Sequence, residues 1–97
     1  MRVISRRPLS DLAKRYPEAK AELDAWFHEA KAAIWRNPAK VKCQYGNASI
    51  LKGSRVVFNI CGNKYRLIVK INYPYSVVYV RFVATHREYD NLDAEKI

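Results

Sequence analysis

A histidine, a tyrosine and an aspartate follow the last apolar stretch of the chain at close spacing. The segment reads YVRFVATHREYD, residues 79–90, and its β-branched and aromatic residues end at Ala84. His86 is the type of side chain that gives or takes a proton near neutral pH, and Tyr89 can donate a hydrogen bond. One interpretation is a proton-transfer site at the end of a strand. The alternative, commoner for each residue taken singly, is a cap, a packing anchor or a surface tail.

Cationic side chains alternate with apolar ones along the strands predicted before this segment. Alternate residues of a strand point to opposite faces of a sheet, so one row of each strand should meet the helices and the other should remain open. Like charges on neighbouring strands destabilise a pair, and arginine offers a fork of donors that fits phosphate. We therefore expect a single open, anion-binding surface that gathers Arg55, Asn59, Lys64, Arg66, Lys70, Tyr79 and Arg81.

Together these two groups contain what cleavage of an RNA chain requires. The ribose 2′-hydroxyl must lose a proton as it attacks phosphorus, the departing 5′-oxygen must gain one, and the developing negative charge must be stabilised. His86 and Tyr89 could handle the protons, while Lys64, Arg66 and Arg81 could stabilise the charge. This chemistry needs no metal ion.

Composition limits the classes of protein that fit. The 97 residues include 18 Lys and Arg against nine Asp and Glu, a net charge of +9 that suits a polyanionic partner. The hydrophobic content of 49% excludes a wholly disordered chain. No apolar run approaches the ~20 residues of a membrane span, and none follows the N-terminal arginines as in a signal peptide. We expect a cytoplasmic protein with reduced thiols at Cys43 and Cys61, no metal and no cofactor.

Apolar spacing predicts the elements that must position these residues. A first strand (residues 1–4) precedes a helix that starts near Pro8, a second helix that starts after Pro17, and a short third helix capped by Asn37. Period-two patterns then predict strands at 49–51, 55–60, 64–71 and 77–84, paired as an antiparallel meander. In the last strand, Val78, Val80, Phe82 and Ala84 are expected to face the helices. The prediction is one α+β domain over residues 1–97, with helices on one face of the sheet.

Four blocks of sequence resemble one known family. They are MRVIS (1–5), AAIWRNPAKVK (32–42), RVVFNICGNKYRLIVKINY (55–73) and YVRFVATHREYD (79–90), and together they run almost end to end. The chain resembles the HigB toxins of bacterial type II toxin–antitoxin modules, within the RelE-like group of messenger-RNA endonucleases. The resemblance implies a RelE-like α+β fold and a metal-independent endoribonuclease that inhibits translation and growth.

The resemblance also implies roles for particular residues. The GNKYR block points to Asn63, Lys64 and Arg66 as phosphate or transition-state contacts, and the THREYD block points to His86 and Tyr89 as proton-handling groups. Which of the two is the base stays open. The predicted catalytic group is Lys64, Arg66, His86 and Tyr89, and the predicted RNA-binding group is Arg55, Asn63, Lys70, Arg81 and Asp90, the last of which orients the site.

Partners are implied in the same way. One expected partner is mRNA, on the ribosome, and the other is a HigA-like helix-turn-helix antitoxin. The toxin is expected to reach operator DNA only through its complex with the antitoxin, and we expect no membrane partner. Two other interpretations remain at this level. One is a ParE-type toxin that acts on a protein target such as gyrase; the other is a non-catalytic RNA-binding module in which bases stack on Tyr73 or Tyr79.

Overall fold

Five strands form a single mixed sheet in the computed structural model, which describes residues 1–97. The strand order is β1-β5-β4-β3-β2; β1 runs parallel to β5 and every other neighbouring pair is antiparallel. The strands are β1 (Arg2–Ile4), β2 (Ser49–Leu51), β3 (Arg55–Ile60), β4 (Tyr65–Asn72) and β5 (Val77–Thr85). The helices are α1 (Arg7–Arg15), α2 (Lys20–Ala32), α3 (Pro38–Gln44) and α4 (His86–Asp90). The α+β, RelE-like prediction is confirmed.

Local sequence accounts for where the first three helices begin. Pro8 lies in the first turn of α1, where a missing N–H costs nothing. Pro17 opens a single 3₁₀ turn, Pro17–Ala19, which leads directly into α2. The side chain of Asn37 accepts a hydrogen bond from the main-chain N–H of Lys40 at 3.0 Å, so it caps α3 as predicted.

The main core lies between the helices and one face of the sheet. Trp26 of α2 packs against Phe58 of β3 with ring centroids 5.4 Å apart, and Trp35 stacks on the same phenylalanine at 5.9 Å. Leu67 and Val69 of β4 lie in the same buried cluster. These contacts place the helical layer over the apolar row of β3 and β4, as the alternation predicts.

A second, smaller core lies on the opposite face of the sheet. Val57 and Ile68, which pair across β3 and β4, are buried there with Ala94. Tyr89, Leu92 and Ile97, with Leu51 and Phe82, pack against them. The expectation of one continuous open surface is therefore wrong. Two apolar side chains stand in its middle, and the chain after α4 covers them because burial of apolar area is favourable.

One extra residue in β5 changes which side chains face the helices. Ile68 pairs with Phe82 but Val69 pairs with Val80, so Arg81 forms a β-bulge. Beyond it Val83 lies in the main core, while Phe82 packs on the second face and Ala84 pairs with Arg66. The prediction that Phe82 and Ala84 face the helices is wrong, because strict alternation does not anticipate the bulge.

The four helices are too short and too polar to span a membrane.

Cys43 and Cys61 are both free thiols.

Candidate active site

The end of β5 turns directly into α4 through a reciprocal cap. Thr85 Oγ1 accepts from the N–H of Glu88 at 3.2 Å, and Glu88 Oε1 accepts from the N–H of Thr85 at 3.1 Å. The main-chain hydrogen bond from Thr85 lowers the pKa of the Glu88 carboxyl below its ordinary value. His86 and Tyr89 thus lie three residues apart on one short helix, so their side chains are neighbours.

Arg66 of β4 connects the two proton-handling candidates. Its Nη2 lies 3.3 Å from His86 Nδ1, and its guanidinium carbon lies 5.6 Å from the centre of the Tyr89 ring. Its Nη1 donates to the main-chain oxygen of Asn63 at 3.1 Å. The three side chains that sequence analysis places in one site are brought together at one end of the sheet.

The contacts of His86 select one neutral tautomer. A guanidinium can only donate, so His86 Nδ1 must accept from Arg66 and the ring proton must reside on Nε2. Nε2 lies 3.3 Å from Oδ2 of Asp90, a contact close enough for electrostatic attraction but outside hydrogen-bond geometry. Asp90 thus lies beside the imidazole, and its orienting role stays a prediction. The side chains of His86 and Asp90 are 56% and 57% exposed, so a polymeric substrate can reach them.

The turn between β3 and β4 is held from both sides. On the site side, the main-chain oxygen of Lys64 accepts from the N–H of His86 at 2.9 Å, which joins the turn to the start of α4. On the helix side, the N–H of Cys61 donates to the Glu22 carboxylate. Sequence analysis did not identify this clamp, because α2 and the turn lie far apart in the chain.

Tyr65, the first residue of β4, strengthens the same attachment. Its hydroxyl donates to Oε1 of Glu18 at 2.5 Å. That hydrogen bond lowers the pKa of Glu18 and raises the pKa of Tyr65 to about 12. The carboxylates of Glu18 and Glu22 thus tie the helical layer to the hairpin that carries Asn63, Lys64 and Arg66.

The remaining predicted RNA-binding residues lie at the other end of the sheet. Lys70 pairs with Arg55 of β3 and Tyr79 of β5, and Arg81 is the adjacent bulge residue. Arg81 Nε donates to the main-chain oxygen of Ile97 at 2.9 Å, on the covering segment. The cations therefore form two clusters, separated by the second core. We call the cluster around Arg66 the α4 site and the cluster around Lys70 the hairpin hollow.

The α4 site combines the elements of an acid–base centre. The Arg66 guanidinium contacts both an imidazole and a phenol ring, and Lys64 lies in the adjoining turn, where its charge also acts on Glu18 and Cys61. No three His, Cys, Asp or Glu residues lie close enough together to hold a metal ion. The arrangement can bind an oxyanion at Arg66 and exchange protons beside it.

Comparisons with known proteins agree with this geometry. A family model for the HigB toxin, described as the RelE-like toxic component of a toxin–antitoxin system, matches residues 19–92. The mRNA interferase toxin HigB of Escherichia coli strain K12 is 30% identical over 92 residues, which cover 93% of this chain and 88% of that protein. The mRNA interferase HigB of Escherichia coli O6:H1 is 27% identical over 94 residues, 95% of this chain and 91% of that protein.

Proposed function

Since the chain belongs to the HigB family, the RelE-like toxic component of toxin–antitoxin systems, we propose that it is an mRNA interferase. It is an endoribonuclease whose α4 site cleaves messenger RNA by attack of a ribose 2′-oxygen on the adjacent phosphorus. The relatives give no support to a gyrase-directed toxin of the ParE type or to a non-catalytic RNA-binding module.

The reaction forms one bond and breaks one. The 2′-oxygen bonds to phosphorus as it loses its proton, the bond between phosphorus and the 5′-oxygen breaks, and that oxygen takes up a proton. The products are a 2′,3′-cyclic phosphate and a 5′-hydroxyl, so no water, metal or cofactor is consumed.

His86 is the base in this proposal. Its Nδ1 carries the lone pair that takes up the proton. In the free protein Arg66 donates to that lone pair, and a bound phosphate draws the Arg66 donors away from it. The Asp90 carboxylate lies beside the opposite ring nitrogen and favours the ring orientation that directs Nδ1 at the substrate. Tyr89, on the next turn of α4, donates the proton to the 5′-oxygen.

Arg66 and Lys64 stabilise the extra charge on phosphorus. A guanidinium can hold two phosphate oxygens at once, and a lysine supplies a point charge beside them. Asn63 fixes the guanidinium through its main-chain oxygen and offers an amide to the RNA backbone. Arg55, Lys70 and Arg81 bind the RNA chain away from the reacting phosphate.

The observation that supports the proposal best is the contact of Arg66 with both His86 and Tyr89. It is tested by expression of the protein in a bacterial host, followed by mapping of the 5′ ends of cellular transcripts. We expect growth arrest and new 5′-hydroxyl ends in mRNA. Growth arrest with intact transcripts would point to a protein target instead.

The partners follow from the same role. We propose that the toxin acts in the cytoplasm on mRNA held by the ribosome, and that a HigA-like helix-turn-helix antitoxin neutralises it and carries it to operator DNA. Co-expression with the neighbouring gene should restore growth. Cleavage of naked RNA at the same rate as translated RNA would contradict the proposal that the toxin acts on mRNA held by the ribosome.

A further inference from the structure

The hairpin hollow is a separate cavity of about 430 Å³, lined by Lys70, Asn72, Tyr79 and Arg81 among others. It lies on the same face of the sheet as the α4 site, because Arg66, Ile68 and Lys70 alternate along β4 without interruption. Lys70 lies four residues beyond Arg66 along the strand, a distance of roughly 13 Å at ~3.3 Å per residue. The two sites are therefore close enough for one RNA strand to reach both.

Side-chain carboxylates do not pair with the cations of the hairpin hollow. None of the three ion pairs between side chains involves Lys70 or Arg81. Arg81 Nε donates to an oxygen of Ile97, the last of the 97 residues. Cations that gather without carboxylates on neighbouring strands favour a bound anion.

An aromatic ring lies between these cations. Tyr79 is half-buried and pairs directly with Lys70 across the two strands, two residues before Arg81. The same hairpin carries Tyr75, whose side chain is 79% exposed. Phosphate-binding cations beside an aromatic ring are the combination by which proteins hold single-stranded nucleic acid.

The second core keeps the RNA from lying flat between the two sites. Phe82, Leu92 and Ile97 cover the middle of this face, so the sheet offers cations at its two ends and apolar side chains between them. An RNA strand anchored at both ends must span this covered strip. The hairpin hollow thus contacts nucleotides at a distance from the cleaved bond.

We propose that the hairpin hollow is a second RNA subsite, in which Lys70 and Arg81 bind backbone phosphate and Tyr79 stacks on a base. This proposal rests on the function proposed for the α4 site, and it adds a requirement for substrate length. At ~3.4 Å per stacked nucleotide, the ~13 Å between the sites corresponds to about four nucleotides. A trinucleotide can fill the α4 site alone, whereas a longer RNA fills both.

Binding of 2′-O-methyl RNA tests the proposal without cleavage, since the methyl group blocks attack. Fluorescence anisotropy is measured with a trinucleotide and with an RNA of about nine nucleotides, a length that spans both sites. We expect the longer RNA to bind at least tenfold tighter to the unaltered protein. The double variant Lys70→Ala with Arg81→Ala should lose this advantage and bind the two RNAs with similar affinity.

Two further variants separate stacking and net charge. Tyr79→Ala should lower the affinity for the longer RNA by about tenfold, since a stacked base contributes ~1–3 kcal/mol. Tyr79→Phe keeps the ring and should bind this RNA with unchanged affinity. Lys40→Ala removes a charge from the exposed surface of α3 in the helical layer and should leave the length advantage intact. Equal affinities for the two RNAs, an unaltered advantage in the double variant, or the same loss in Lys40→Ala would each overturn the subsite. Failure of the nuclease proposal would instead appear as intact transcripts with the unaltered protein.

Discussion

Arg66 makes three contacts at once: with His86, with the Tyr89 ring and with the main chain of Asn63. It is half-buried near the end of the central strand β4, so its guanidinium is held in place before any substrate arrives. A fixed donor directed at the charge that develops in the transition state needs little reorganisation during the reaction. In the proposed reaction, the chemistry at this scale depends on one arginine and the two groups it touches.

Replacement of Arg66 by alanine should abolish growth arrest. Loss of one fixed donor to a developing oxyanion costs roughly 10²–10³-fold in rate. Arg66→Lys should recover only part of the activity, because an ammonium cannot bind two phosphate oxygens as a fork does. Growth curves and transcript mapping provide the measurement, and circular dichroism checks the fold. A toxic Arg66→Ala variant would remove this residue from the site.

The pH dependence of cleavage should reveal the role of His86. A general base must be unprotonated when it acts, so the cleavage rate should fall in acid solution. His86→Asn should be much slower, and this acid limb should disappear from its profile. Single-turnover rates at several pH values measure both effects. An unchanged acid limb in the variant would assign the base to another group.

At the scale of elements, the cap of α4 determines where both candidate proton-handling residues lie. The five-residue helix begins directly after Thr85, the last residue of β5, and the side chains of Thr85 and Glu88 each accept a hydrogen bond from the other residue's main-chain N–H. The lowered pKa of Glu88 means that its contribution to stability is present above the pKa of the unfolded chain. That contribution is lost as the pH falls through the lower pKa of the folded protein.

Thr85→Ala should therefore loosen the site as well as the helix. Loss of a capping hydroxyl costs about 1 kcal/mol of unfolding free energy. Cleavage should slow by more than the small unfolded fraction explains, because His86 and Tyr89 move with the helix. Thr85→Ser retains the hydroxyl and should retain activity. Denaturant titration and cleavage rates together provide the measurement, and normal cleavage by a destabilised Thr85→Ala would contradict it.

The elements of the site differ in how far the sequence predicts them. Alternation places Arg66 and Lys70 on one face correctly, and the pattern T-x-x-E at Thr85 is a readable capping box. The bulge at Arg81 has no such signal, because it depends on how β5 fits against β4. The clamp from Glu22 to the turn of Cys61 is equally hidden, since it joins residues 39 positions apart.

At the scale of the whole molecule, one face of the sheet is covered by helices and the other is divided by the C-terminal segment. Apolar residues such as Val57 and Ile68 in the predicted open row were the available signal for this cover. The result is two cationic clusters on a protein with a net charge of +9. This distribution suits a long, flexible polyanion that touches the surface at more than one point.

The affinity for RNA should accordingly fall steeply with salt. Each phosphate neutralised on a single strand contributes about −0.7 to the slope of log K against log salt concentration. Removal of Lys70 and Arg81 together should reduce that slope by roughly 1.4, whereas Lys40→Ala should leave it unchanged. Anisotropy titrations at several salt concentrations measure the slope. A flat salt response of the unaltered protein would exclude the two clusters as the RNA surface.

The bulge in β5 has a consequence for how this surface can vary. Val80 and Phe82 pair with consecutive residues of β4, so Arg81 is additional to an otherwise regular strand. Excision of this single amino acid should close the ladder without displacing any neighbouring pair, and should remove the hydrogen bond that Arg81 makes to Ile97 of the covering segment. Insertion or deletion of one residue can therefore add or remove this cation, while the residues of the α4 site keep their positions.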